Sequence, residues 1–196
     1  MVTSPANVAV RQRGPRRDAL ANQEKILTAA TAAYRRGGAS TPMSQIAAKA
    51  GVGVGTLYRR YHSRDALVDA LTQRSFEFVS RCARRAQEMG GPAMDGVHQF
   101  LETVIDARDE LVLPLHGGPA HLGAGAAAAR SEVHRWLAAL IERGHRDGSI
   151  RTDATVSDIV VFGAMLAQPL PNSSDWPRTA ARLKRVYLDG LGDRSR

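Results

Sequence analysis

Met43-Ser-Gln-Ile-Ala-Ala-Lys-Ala-Gly-Val-Gly-Val-Gly-Thr-Leu-Tyr-Arg-Arg-Tyr61 decides how the chain is to be read, because its apolar spacing describes two short helices joined by a glycine turn. Met43, Ile46, Ala47 and Ala50 fall at i, i+3, i+4 and i+7, the stripe of a helix buried along one side. Gly51 ends that helix. After the turn, Leu57 and Tyr61 form an i, i+4 anchor row, which leaves Thr56, Tyr58, Arg59 and Arg60 facing away from whatever core the anchors pack on. Exposed hydroxyl and guanidinium groups suit phosphates and base edges. A helix-turn-helix presents its second helix to the major groove and needs a tight turn, often with glycine, to set the angle between its helices. The stretch therefore predicts a DNA-reading unit.

Charge is distributed to match. The 196 residues carry a net +8. Residues 1–75 hold 12 Lys and Arg against 4 Asp and Glu, whereas residues 76–196 hold 15 of each. All of the excess positive charge surrounds the motif, where it would displace the counterions condensed on a duplex and supply sequence-independent affinity. The preponderance of Arg (24) over Lys (3), with abundant Ala and Gly, is what a GC-rich coding genome produces. That bias does not explain the asymmetry between the halves.

At 43% hydrophobic content the chain is long enough to bury a substantial core in one or two small domains. It holds no run of eighteen apolar residues, and residues 1–10 lack a basic start followed by an apolar stretch. Neither a membrane span nor a secretory signal is expected, and a cytoplasmic location follows. The lone Cys82 is in helical phase with Val68, Leu71, Ser75, Phe78 and Val79 and reads as a buried core thiol.

Helical patterns cover nearly everything else. Residues 1–17, ending Arg11-Gln-Arg-Gly-Pro-Arg-Arg17, have no apolar period and read as a flexible basic arm. As a plain tail it would do nothing specific; as a minor-groove arm it would use Arg13, Arg16 and Arg17, and nonspecific phosphate contact is the favoured reading. A helix from about Asp18 to Arg36 has Ile26, Ala30, Ala33 and Tyr34 on its inner face and closes at Gly37-Gly38. Thr41-Pro42 opens the first motif helix, and Ser63 caps a longer one led by Leu67, Val68 and Leu71. Gly90-Gly91-Pro92 interrupts the chain. The expected division is an arm over 1–17, a DNA-binding domain over 18–79 and a helical domain over 80–196.

The second half shows four more helical stripes and no convincing strand. Val97, Leu101, Val104 and Ile105 form one, fading into the Gly- and Pro-rich segment 114–125. Val133, Trp136, Leu137, Leu140 and Ile141 form another, loosened at its end by Gly144 to Gly148. Thr155 and Asp158 have capping-box spacing ahead of Ile159-Val-Val-Phe-Gly-Ala-Met-Leu-Ala167, which is apolar on every face and must be covered on all sides. The last helix, from about Asp175, repeats Trp176, Ala180, Leu183, Tyr187 and Leu191. Paired across a two-fold axis, these last two helices would make a four-helix dimer interface.

Taken together, Ile26-Leu-Thr-Ala-Ala30, Ile46-Ala, Ala50-Gly-Val52, Gly55-Thr-Leu-Tyr-Arg-Arg-Tyr61 and Ser63-Arg-Asp-Ala-Leu67 resemble the TetR family of transcriptional regulators over roughly residues 20–79. The resemblance implies an all-α fold: three N-terminal helices that bind DNA, then a longer fourth helix leading into a helical ligand-binding and dimerising domain. It would put Thr56, Tyr58 and Arg60 at the DNA face, with Val54, Gly55 and Arg59 beside them. Ser44 and Gln45 would open the supporting helix near the backbone, and Arg64 would contact phosphate. Gly53-Val54-Gly55 departs from the family pattern, which often has polar residues there. Each glycine costs about 0.8–1.0 kcal/mol of helix stability relative to alanine while allowing close backbone approach.

The function expected is a homodimeric, ligand-responsive regulator, most simply a repressor released from a palindromic operator by a small apolar effector. The helices that the family fold would bring around a cavity supply Leu101, Val104, Ile105, Leu113, His116, Trp136, Leu140, Phe162 and Met165, with His98, His116 and Gln168 as polar candidates. The alternative is an enzyme or a structural DNA-binding protein that uses the same motif for docking. No cofactor is implied. His116-Gly-Gly-Pro-Ala-His121 matches no strong zinc spacing and lacks cysteines to complete one. No Gly-x-Ser-x-Gly elbow or phosphate loop accompanies it, so neither a catalytic nor a metal residue is assigned.

Overall fold

The computed structural model describes residues 15–37, 40–116, 118–168 and 175–192. Among them the regular elements are all helices. In chain order these are α1 (Pro15–Gly37), α2 (Met43–Ala50), α3 (Val54–Arg60), α4 (Arg64–Glu88), α5 (Ala93–Asp106), α6 (Ala124–Asp147), α7 (Val156–Leu166) and α8 (Trp176–Leu191). Short 3-10 turns occupy Arg108–Glu110 and Pro114–His116. The expected arm falls mostly outside the described residues, Arg13 with it. Arg16 and Arg17, however, belong to α1 rather than to an arm. Pro15 starts that helix, where a missing N–H and a fixed φ cost nothing.

Two hydrophobic clusters organise the chain. The first gathers Ile26, Ile46, Leu57, Tyr61, Leu67 and Leu71 from α1 to the start of α4 and makes a compact head. The second runs from Val79 through α5, α6 and α7 to Leu191 and makes the body. Helix α4 belongs to both. Cys82 is buried in the body, and burial pushes its thiol pKa up. A second connection follows α5. Leu111 and Leu113 join the body cluster, while Val112 between them joins the head. The Val112 N–H donates to Ser75 Oγ (2.9 Å), which donates in turn to the Leu71 carbonyl (2.8 Å), and Arg35 of α1 pairs with Asp109 at 3.0 Å.

The turn between α4 and α5 is fastened by the end of α6. Arg143 donates to the carbonyls of Ala86, Met89 and Gly91, satisfying the open end of α4. Asp147 and Ser149 accept from the Ala93 and Met94 N–H groups, taking the place of an N-cap that Pro92 cannot provide. The helices meet closely here: a Cβ on Gly96 would lie 2.6 Å from the Ala86 carbonyl oxygen and 3.0 Å from a Leu140 methyl. Gly96→Ala is therefore expected to destabilise by ~1–3 kcal/mol despite the better helix propensity of alanine. A melting temperature lowered by roughly 2–10 °C would register it, and an unchanged one would mean that α5 can shift off α4 without loss.

The stretch from Gly144 to Gly148, expected to loosen the end of its helix, does contain that end: Gly148 closes α6 at φ +70°, while Gly144 still sits inside the helix, which continues to Asp147. A Cβ on Gly144 would lie 2.4 Å from Ile150, so the glycine makes room for the chain folding back over the helix. The Thr155–Asp158 capping box forms in both directions and starts α7. That helix is not covered all round in the single chain: Ile159, Gly163 and Leu166 are buried, but Val161 is 49% and Met165 66% exposed. Trp176 opens α8 and donates its indole N–H to the Leu166 carbonyl at 3.1 Å. Along α8, Ala180 and Leu191 are buried, whereas Leu183 and Val186 are 42% and 61% exposed.

Candidate nucleic-acid interface and effector cavity

Helix α3 stands on the head through Leu57, which is fully buried, and through Tyr61 just beyond its end. Gly51 makes this placement possible. It adopts φ +66° after α2, where its N–H and that of Val52 bond to the carbonyls of Ala48 and Ala47, and an L-residue in that conformation would be strained. Ser63 then restarts the chain as α4, its hydroxyl accepting from the Ala66 N–H at 3.1 Å.

With α3 seated in this way, its outer side carries Val54 (41% exposed), Tyr58 (48%), Arg59 and Arg60. Gly55 faces open space, with nothing within 4 Å of where a Cβ would stand. Two of the cations are braced: Arg59 donates to Thr56 Oγ1 (3.2 Å), and Arg60 donates to the Gln23 side-chain oxygen on α1. The expected set thus divides. Val54, Gly55, Tyr58, Arg59 and Arg60 share an open face, Ser44 and Gln45 are exposed at the start of α2, and Thr56 and Arg64 are half-buried. Gln23, which braces Arg60 from thirty-seven residues away, is a participant the local pattern did not reveal.

The body encloses a cavity of about 360 Å³ between α4, α5, α6 and α7 and the segment after α5. Leu101, Val104 and Leu113 of the expected set line it, together with Phe100, Val133 and Val160. Ile105, Trp136, Leu140, Phe162 and Met165 are not in its wall. Leu140 is completely buried and Ile105 nearly so, both in the solid core. Trp136 packs against that core with the Arg135 guanidinium 5.0 Å over its ring. Phe162 stacks on Tyr187, ring centres 3.7 Å apart, and Met165 faces outward. Burial and the charge of Asp158 push the Tyr187 phenol up to about 12. His98 is exposed, and the side chain of His116 lies outside the described residues. Gln168 donates to the Leu115 carbonyl, beside the cavity rather than in its wall.

Among the described residues the polar side chains in the wall are Arg130, His134 and Ser157, none of which the apolar periodicity singled out. Arg130 and His134 are one turn apart on α6. Burial first, and the nearby Arg130 charge second, hold the His134 imidazole below its usual pKa. Among the described residues no three His, Cys, Asp or Glu side chains gather to hold a metal ion, and no helix is long and apolar enough to cross a membrane.

Known proteins share both halves of this arrangement. Residues 26–71 match the sequence profile of the bacterial regulatory proteins of the tetR family, and residues 97–193 match that of the SbtR-like transcriptional regulator C-terminal domain. The HTH-type transcriptional regulator SAR0097 of Staphylococcus aureus (strain MRSA252) is 32% identical over 102 residues, half of this chain. The chain spans about half the length of that curated relative, 53% of it. Among solved structures, a TetR transcription regulatory protein from Mycobacterium vanbaalenii aligns at 27% identity over 91% of this chain and 99% of its own, with a TM-score of 0.65. TetR transcriptional regulator SCO0520 from Streptomyces coelicolor aligns at 27% identity over 88% and 99%, with a TM-score of 0.64. With the head, the body and the order of helices all matched, the chain belongs to the TetR family of transcriptional regulators.

Proposed function

We propose that the chain is a homodimeric, effector-responsive repressor that binds a palindromic operator in the cytoplasm and leaves it when a largely apolar small molecule fills the body cavity. The observation that carries the DNA reading is the open outer face of α3, where Val54, Gly55, Tyr58, Arg59 and Arg60 stand clear of a helix anchored by buried Leu57. Thr56 belongs with them through its bond to Arg59, and Ser44, Gln45 and Arg64 flank the face as backbone contacts. The head is the DNA-binding domain to about residue 79, and the body from residue 80 is the effector and dimerisation domain. The changeover between the two hydrophobic clusters, after Leu71 and by Val79, supports that division.

Dimerisation runs through α7 and α8. Val161 and Met165, one turn apart on α7, and Leu183 and Val186 on α8 are large apolar side chains exposed in the single chain. Two copies joined there carry two α3 helices, which read half-sites about 34–36 Å apart, one duplex turn. The cavity supplies the response, since an occupant that fits one spacing of the heads better than another lowers operator affinity by that difference. A gamma-butyrolactone receptor (ArpA-like protein) shares the fold at 17% identity and a TM-score of 0.56.

Selecting bound duplexes from a random pool with the purified protein tests this reading. A single two-fold palindrome is expected, and recovery of unrelated sequences would remove sequence-specific recognition. On the selected operator, Tyr58→Ala and Arg60→Ala should each weaken binding by ~1–3 kcal/mol without altering the melting temperature. Removing a side chain that neutralises a phosphate also lowers the slope of log affinity against log salt by about 1, which Arg60→Ala should show and Tyr58→Ala should not.

A further inference from the structure

The cavity wall is apolar except at one place, and the chemistry there is lopsided. Arg130 and His134 stand one turn apart on α6, Ser157 of α7 contributes a hydroxyl, and among the described residues the lining contains no Asp or Glu. The other arginines of α6 have partners: Arg135 is paired with Glu132, Arg143 is bonded to three carbonyls, and Arg146 donates to the Glu142 carbonyl. No such partner accompanies Arg130 among the described residues. Arg130 is exposed where the chamber meets solvent, so its guanidinium is open to water and to a guest alike, and an oxyanion is the guest group that can pair with it in a charge-assisted, bidentate way. The charge of Arg130 already bears on His134 and favours its neutral form, so a cationic guest would set a second positive charge beside the guanidinium. A neutral guest would leave the guanidinium without a counter-charge.

On the reading of this cavity as the effector site, we infer that the effector is a monoanionic amphiphile, whose apolar body lies along Phe100, Leu101, Val104 and Val133 and whose acidic head is held by Arg130, His134 and Ser157. One guanidinium matches one negative charge. The head group is what separates this ligand class from the neutral apolar compounds that the rest of the lining would accept equally well.

Three probes of equal chain length, decanoate, decanol and decylamine, test the inference by titration calorimetry on the full chain. Decanoate is expected to bind at least about tenfold more tightly than decanol, the scale of one hydrogen bond to a charged group, and decylamine more weakly than either. Arg130→Gln, at an exposed position, should reduce decanoate to the level of decanol and leave decanol unchanged. Ala164→Trp, which fills the cavity from α7, should block decanoate and decanol together. Equal binding of decanoate and decanol, or decanoate binding indifferent to Arg130→Gln, overturns the acidic head while leaving the cavity as an apolar site. Decanoate binding indifferent to Ala164→Trp, or no binding of any probe, overturns the cavity as the effector site and the inference with it.

Discussion

Met165→Glu combined with Val186→Glu is expected to yield a folded monomer whose affinity for the palindromic operator falls by roughly 10²–10⁴-fold. Both side chains are about two-thirds exposed in the single chain, so the exchange costs the fold little. Across the proposed dimer axis, however, four carboxylates would replace apolar packing in a desolvated interface, and like charges there exclude the partner. The loss in DNA binding is then one of valency: two heads on one body engage the second half-site at high effective concentration, and separate chains do not. Light scattering reports the mass, and fluorescence anisotropy against the full palindrome and against a half-site reports the binding. A double variant that remains dimeric would place the interface elsewhere on the body. Equal loss on the half-site and the full operator would mean that the heads, and not the pairing, had been damaged.

Leu57→Ala should act from the opposite side of the same helix. Leu57 is fully buried and is the one buried side chain that α3 itself contributes to the head cluster. Emptying its site is expected to cost ~2–5 kcal/mol. Seven residues long and with Gly55 in its first turn, α3 has little intrinsic stability to fall back on. Thermal unfolding followed by circular dichroism should show the head melting well below the parent, with DNA binding abolished alongside it. Tyr58→Ala, one residue away on the exposed face, should impair DNA binding with the melting curve in place. If the Leu57 variant melts like the parent, α3 is held by something other than its anchor.

These two neighbours also show what could be read without coordinates. In the head the elements are short and each apolar residue has one purpose, so the i, i+4 spacing of Leu57 and Tyr61 separates inside from outside, and both are buried. Caps were equally legible: Ser63 and the Thr155–Asp158 pair act over three residues and need no tertiary knowledge. The body is harder, because α6 is apolar toward several neighbours at once. Periodicity finds Val133, Trp136, Leu137 and Leu140 as one stripe, but only packing decides that Val133 borders empty space while Leu140 is enclosed by solid core. Arg130 and His134 carry the opposite ambiguity: they read as a solvated face, and only the packing of α4, α5 and α7 puts a cavity beside that edge of α6. Of the two glycines that mark the end of α6, periodicity cannot say which closes it: Gly148 does, and Gly144 stays in the helix with Ile150, six residues later, lying against it.

The extended step Leu111-Val112-Leu113 sets a rule for anyone who would graft this head onto another body. Cutting α4 near Ser75 looks sufficient, since α4 is the visible bridge, yet a chimera made that way would arrive without Val112 and leave its seat in the head unfilled. The Ser75 hydroxyl would also lose the backbone N–H it accepts from, and Arg35 the Asp109 carboxylate. A transplant therefore needs a second splice that carries residues 108–113 with the head, in register. A shift of one residue would turn Val112 toward the body and present its leucine neighbours to the head.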